Sequence, residues 1–236
     1  MKRFYTHVAA EAADGGWRVM LDGRPIRTAG KRPQIVPTGT LAEALAAEWA
    51  AQGEEIDTAG FVFRDMADYA IDVVAADPGA IAAELRRYAE TDTLCYRGEP
   101  GEALRRRQDA VWEPLLVAAE HRFDIHFERI AGIIHQPQPA VTLARLDTVL
   151  AARDPFTLVA LQTLTSLSAS LVIALAAIEP GADARALWDA ANLEEDWQAE
   201  LWGKDAEAEA RRERRFATFA AAIRFAALAR ADIPAS

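Results

Sequence analysis

The residues with the clearest chemical potential in this chain lie in Leu193 to Gly203, read L-E-E-D-W-Q-A-E-L-W-G. On a helical wheel of about 100° per residue, Leu187, Ala190, Leu193, Trp197, Leu201 and Trp202 share one broad apolar face. Glu194 and Gln198 fall in its middle, and Asp196 and Glu200 fall opposite, toward solvent. A carboxylate on a packing face must be hydrogen-bonded or ion-paired, because leaving it bare costs several kcal/mol. Two readings satisfy that requirement: Glu194 and Gln198 serve an internal contact, or they meet another protein.

Catalytic chemistry needs tighter spacings than the chain offers. The histidines His7, His121, His126 and His135 are scattered with no H-E-x-x-H or comparable metal pattern, and a five-residue separation keeps His121 and His126 off one helical face. No G-x-x-x-x-G-K-[ST] loop presents amides to phosphates, and Asp14-Gly15-Gly16 lacks the third glycine of a dinucleotide turn. No G-x-S-x-G elbow exposes a serine. Adjacent carboxylates such as Glu194 and Glu195, or Glu54 and Glu55, point about 100° apart on a helix, a poor geometry for sharing acid and base roles. A hydrolase with an acidic cleft centred on Glu194 and His135 is the enzymatic alternative, and it lacks a nucleophile. The expectation is therefore a protein that is not an enzyme, holds no cofactor or metal and does not hydrolyse ATP.

Composition narrows the class further. The 236 residues are 51% apolar, enough to bury a sizeable core in one or two domains. A formal net charge of −10 argues against nucleic acid as a partner, since phosphates call for a basic footprint. Runs such as Arg105-Arg106-Arg107 sit among glutamates on predicted helices and read as solvated faces. The single cysteine, Cys95, reads as a small core residue. Six tryptophans are many for this length. Core packing is the default for each, and Trp202, beside Gly203 at a helix end, is the best candidate for a partly exposed one. The most apolar window, Leu167 to Ile178, is shorter than a membrane span and holds two serines, so no membrane insertion is expected. Met1 to Tyr5 carries neither a long apolar run nor an Arg- and Ser-rich transit segment. A chain mature from its first residue, in a bacterial cytoplasm, is the expectation.

The elements that must position these residues fall into two parts. Trp17, Val19 and Leu21 alternate with Arg18 and Met20 and run into Asp22-Gly23, a type I′ hairpin signal. The return strand is predicted over 24–28, a further short strand over 34–36, and Phe4 to Val8 joins the same sheet. Thr40 with Glu43 predicts a capping box opening a helix that ends before Gly53, and a helical pattern follows over 63–75. Asp77-Pro78 starts a new helix to about Thr91. The boundary is placed there: 1–77 an N-terminal alpha/beta domain, 78–236 a C-terminal helical domain. Asp154-Pro155 opens one long apolar helix ending near Ile178. Another runs from Ala182 to about Trp202, and a charged helix with Phe216, Phe219, Ile223 and Phe225 closes the chain. Ile130 to Val141, with two Gln-Pro pairs, reads as extended. The fold class is α+β: a small N-terminal antiparallel sheet with helices, then an all-helical, orthogonal-type bundle.

The pattern L-E-x-x-x-Q-x-x-x-W-G of residues 193–203 also resembles the signature of the chaperones that assemble the F(1) sector of ATP synthase. The resemblance extends through Arg3-Phe4-Tyr5, Gly16 to Arg24, Leu41 to Gln52, Ala70-Ile71-Asp72, Asp92 to Arg97, and Gln108 with Trp112 and Pro114-Leu115-Leu116. It departs at Thr28-Ala29, where the family usually has Thr-Pro, and at Phe61-Val62-Phe63, where Met-Pro-Leu is usual. The member it is similar to binds the alpha subunit. What this implies is an ATP-independent assembly chaperone that covers the alpha surface destined to meet beta until beta replaces it, with Glu194, Gln198, Trp202 and Gly203 as partner-binding residues. A permanent scaffold would use the same interface and remains the other non-enzymatic alternative.

Overall fold

The computed structural model describes residues 1–203 and 205–230; residues 231–236 of the expected second domain lie outside them. The chain forms two compact units, one taking Met1–Pro78, Asp154–Ala160 and the chain from Arg224, the other Gly79–Arg153 and Leu161–Ile223.

In the first unit, β1 (Val8–Ala13), β2 (Gly16–Leu21) and β3 (Arg24–Pro25) form an antiparallel sheet in that order. The Asp22-Gly23 hairpin forms as the spacing predicts. Both turn residues have positive φ, 46° and 75°, and Leu21 faces Arg24, the backbone twist that a type I′ turn supplies. A Cβ added to Gly23 would meet nothing within 4 Å, so a substitution there is penalised by backbone conformation alone. Gly23→Val is expected to lower stability by about 1–2 kcal/mol, while Gly23→Asn, which tolerates positive φ, lowers it much less. Equal thermal unfolding of the valine variant and the parent would contradict this.

The first strand differs from expectation. It spans Val8–Ala13 rather than Phe4–Val8, and Asp14-Gly15 closes a second hairpin, with Ala13 opposite Gly16. Its alanine-rich sequence gives little alternation to read. Residues 1–3 instead run beside the segment after the first helix, with Lys2 bridged to Glu55. The return strand shortens to Arg24–Pro25, and residues 34–36 contribute a single bridge, Val36 to Trp17.

Helix α1 (Gly39–Ala50) starts earlier than the Thr40–Glu43 spacing predicts. Its cap is Thr38, whose hydroxyl accepts from the Leu41 amide at 3.1 Å. Gly39 lies against the Trp17 indole, where a Cβ would sit 3.1 Å from the ring. Late in α1, Glu48 accepts from the Phe63 and Arg64 amides at 2.7 and 2.9 Å. It thereby caps α2 (Val62–Asp72), which has no cap from its own preceding residue. Asp68 and Asp72 of α2 hold the loop after β3: the Ala29 amide donates to Asp68 at 3.0 Å and the Gly30 amide to Asp72 at 2.7 Å. A proline at position 29 has no N–H to make the first bond, so the departure at Thr28-Ala29 has a local partner. The unit's core gathers Val19, Leu41, Leu45, Phe61 and Phe225.

The second unit is helical around one short ladder. In chain order it contains α3 (Pro78–Glu90), β4 (Tyr96–Arg97), α4 (Ala103–Phe123), β5 (Ile130–Ala131) and α5 (Ala140–Ala151). It continues with α6 (Pro155–Ser168), α7 (Leu171–Ala177), α8 (Ala184–Ala191), α9 (Leu193–Trp202) and α10 (Ala206–Arg230). Pro78 belongs to the first unit, and α6 and α10 contribute residues to both units. The β4–β5 pair is parallel; β5 falls at the start of the stretch 130–141 that reads as extended, and β4 lies in a domain expected to be all-helical. Core residues include Leu85, Trp112, Leu116, Phe127, Ile173, Trp188 and Phe219.

Two helices predicted as continuous are broken. The apolar helix from Pro155 stops at Ser168, whose hydroxyl donates to Leu164 O at 2.8 Å. Ala169 takes a left-handed φ of 52°, and Ser170 caps α7 by accepting from the Ile173 amide. The serines offer the backbone local alternatives to the helix. The helix expected over 182–202 breaks at Asn192, whose side-chain amide donates to Trp188 O at 2.7 Å.

Candidate partner-binding site

The break at Asn192 changes what α9 presents. Leu187, Ala190 and Leu193 are buried as a packing stripe should be, but burial ends there. Glu194, Gln198 and Gly203 are exposed, Leu201 is 58% exposed and Trp202 77%. Glu194 and Gln198 thus lie on an open surface rather than inside a closed packing face, and Glu194 also makes an internal contact, to Gln108. Of the two residues predicted to face solvent, Glu200 is exposed and pairs with Arg107 at 2.6 Å, while Asp196 is half-buried against Arg212. The Arg107 guanidinium also lies 5.8 Å from the centre of the Trp197 ring.

Glu194 and Gln198 line a cleft of about 540 Å³ together with Tyr96, Leu104, Ile133 and His135. The fixed side of the cleft comes from α4. Gln108, fully buried, accepts from the Gly98 amide at 2.8 Å through Oε1 and donates to Glu194 Oε1 at 2.6 Å through Nε2. One turn along, the Trp112 indole N–H donates to Ala190 O at 2.8 Å. Two residues four apart on α4 therefore hold two residues four apart on α8 and α9, which sets the position of the Glu194 carboxylate. Sequence spacing alone singles out Glu194 but not Gln108 as its holder, since a buried glutamine eighty-six positions away leaves no periodic trace.

The opposite wall rests on the β4–β5 ladder, anchored by buried charge. Arg97, 4% exposed, pairs with Asp109 at 2.5 Å and Glu113 at 2.7 Å. Arg129 pairs with Glu113 at 2.7 Å and with Glu120. The Arg129 guanidinium, with Arg97, holds Glu113 below the ordinary carboxylate range. These pairs fasten both strands to α4 and fix Tyr96, whose hydroxyl meets His135 Nδ1 at 3.1 Å. Beyond β5, Ile133 is 95% and Ile134 77% exposed, an extended apolar stretch with no packing role.

Just ahead of β4, Asp92 is fully buried. Its carboxylate accepts from the Leu94 amide at 3.1 Å and the Val172 amide at 3.0 Å, tying the segment that leads into β4 to the start of α7. Burial pushes its pKa up to about 6 against the lowering effect of these bonds and of Ser170 and Leu171. Cys95 is buried as expected, and burial raises its thiol well above the ordinary range, the opposite of an activated nucleophile.

Glu194 and His135, the two groups of the hydrolase alternative, do share the cleft. Each is held by a different partner, Gln108 and Tyr96, so no base–orienter pair forms between them. Among the described residues no cluster of three or more His, Cys, Asp or Glu is arranged to hold a metal ion. No described helix is long and apolar enough to cross a membrane.

The cleft thus combines a fixed carboxylate, an amide and an apolar rim on one open surface. Residues 2–120 match the family described as ATP12 chaperone protein. The fold matches the crystal structure of Atp12 from Paracoccus denitrificans with a TM-score of 0.92 and 40% identity, over 97% of this chain and 98% of that one. A mutant of the same Paracoccus protein matches with a TM-score of 0.93 and 40% identity over the same shares. A structure described as a candidate chaperone from Agrobacterium tumefaciens matches with a TM-score of 0.90 and 37% identity, over 95% of this chain and 85% of that one. The chain belongs to the ATP12 family of chaperones of ATP synthase assembly. The stretch holding Glu194 lies outside the family-model match.

Proposed function

We propose that this chain is a non-enzymatic, ATP-independent chaperone of the bacterial cytoplasm that binds the F(1) alpha subunit. It shields the surface that alpha later gives to beta. Glu194, Gln198, Trp202 and Gly203 form the binding edge. The observation that carries this reading is the pairing of a held carboxylate, Glu194 on Gln108, with exposed Leu201 and Trp202 on the same helix. Large aromatic side chains beside a fixed charge are what an interface anchor requires. A chaperone must bind its client strongly enough to prevent self-association and more weakly than the final subunit interface.

In a light-scattering assay, the chain is expected to suppress aggregation of isolated alpha subunit at near-stoichiometric ratio with no nucleotide present. Added beta subunit should then release it. Calorimetry should detect no ATP binding by the chain itself. Equal aggregation with and without the chain would defeat the proposal, and a lasting ternary complex with beta would favour the scaffold.

A further inference from the structure

Charge is unevenly placed along this acidic chain. Residues 1–36 hold seven Lys and Arg against three Asp and Glu, a local net of +4 in a chain of net −10. The first unit folds part of this segment around a groove of about 530 Å³, lined by Phe4, Ile26, Trp49, Asp22, Arg24 and Arg27 among others. Phe4 stands 64% exposed, braced edge-on against Tyr5 with ring centres 5.3 Å apart. The indole N–H of Trp49 is buried without a partner among the described residues.

The charged groups on the groove differ in how far they are engaged. The Asp22 carboxylate accepts from the His7 amide at 2.8 Å and the Thr6 amide at 3.1 Å, and these two bonds hold it below the ordinary carboxylate range. Arg27 donates one Nη1 bond to Lys31 O at 2.8 Å, leaving its other donors available. Arg24 is exposed; its backbone belongs to the β2–β3 ladder, its charge lies near Asp22, and its side chain makes no hydrogen bond or salt bridge among the described residues. Pro25 supplies no N–H at the outer edge of β3, so an added strand would find no regular ladder there. A partner would be gripped by side chains.

We propose that this groove is a docking site for an extended acidic segment of a partner protein, one in which a carboxylate lies close along the chain to a large apolar side chain. The apolar group would settle against Phe4 and Ile26, and the carboxylate would take the forked donors of Arg24 and Arg27. Charge complementarity selects this occupant: the groove sits on a basic segment, whereas the rest of the chain would repel an acidic partner. The site shares no residue with the α9 cleft.

The test uses the full chain and a fluorescein-labelled heptapeptide of alternating Glu and Leu, read by fluorescence anisotropy. Saturable binding is expected, weakened about tenfold or more by the double variant Arg24→Glu/Arg27→Glu and weakened by raising the salt concentration to about 0.3 M. Phe4→Ser should weaken it as well, and the peptide with Lys in place of Glu should not bind. Glu194→Lys should leave peptide binding unchanged, which separates this site from the alpha-subunit proposal. If the double variant is misfolded by circular dichroism, Arg24→Gln/Arg27→Gln carries the comparison. No saturable binding, or binding indifferent to both arginine pairs, overturns the proposal. So does retention by phosphatidylserine vesicles through the same arginines with no peptide binding, which would assign the groove to a membrane surface.

Discussion

Replacing Glu194 by lysine is expected to leave a folded protein that no longer retains the alpha subunit. The sequence leaves two outcomes open, because a lysine at a core position would bury an unpaired cation and unfold the bundle. The open position of Glu194 removes the reason for unfolding. What the fold loses is the bond from Gln108 Nε2, leaving one buried donor without its acceptor at a cost of about 1–3 kcal/mol. The interface loses more. A client donor that met a carboxylate would meet an ammonium instead, and reversal at a desolvated charge contact costs about 2–5 kcal/mol of binding. Pull-down with alpha subunit should therefore fail while circular dichroism melting falls only slightly. A collapsed melting curve would return Glu194 to a structural role, and unchanged binding would remove it from the site. Gln198→Ala should weaken binding less, since an amide carries no net charge. With both residues on one cleft, the two changes should be non-additive.

The second large effect concerns Asp92 and stability. Asp92→Ala removes the acceptor for the Leu94 and Val172 amides in a fully buried position. Orphaning buried backbone donors at a helix start is expected to lower stability by about 3–5 kcal/mol. For a chain of this size that corresponds to a drop in Tm of roughly 10 °C. Asp92→Asn keeps an acceptor oxygen and is expected to lie between the alanine variant and the parent.

The same pair tests the pH dependence. An acid whose folded pKa is about 6, against an ordinary 3.8, keeps its proton in the folded state while the unfolded chain releases it. Stability must then fall as pH rises from about 3.8 to about 6 and level off above. Glu113 and Glu120, whose pKa values are lowered, act with the opposite sign, adding stability above the ordinary glutamate range that is lost as acid reaches their folded values. The contribution of Asp92 is therefore read as the difference between parent and Asp92→Asn. That difference should shift against the parent between pH 4 and pH 6, and a flat difference would show that Asp92 does not titrate there.

The sequence by itself determined the features whose physics is local. Asp22-Gly23 specifies a type I′ hairpin wherever it falls between alternating strands, because few residue pairs accept positive φ at both positions. Asp77-Pro78 starts a helix for an equally short-range reason. The stretch 193–203 revealed an unusual carboxylate through periodicity alone. Tertiary structure decided what that carboxylate faces. Periodicity reports that a helix has two unlike faces; it does not report which one a neighbour covers, and the break at Asn192 leaves α9 open beyond Leu193. The long-range holders were equally hidden, among them Gln108 on Glu194, Glu48 capping α2 and Asp92 joining the approach to β4 with α7. Each is a polar side chain paired with a group many residues away, and such a bond exists only once the fold has brought the two ends together and taken water from at least one of them.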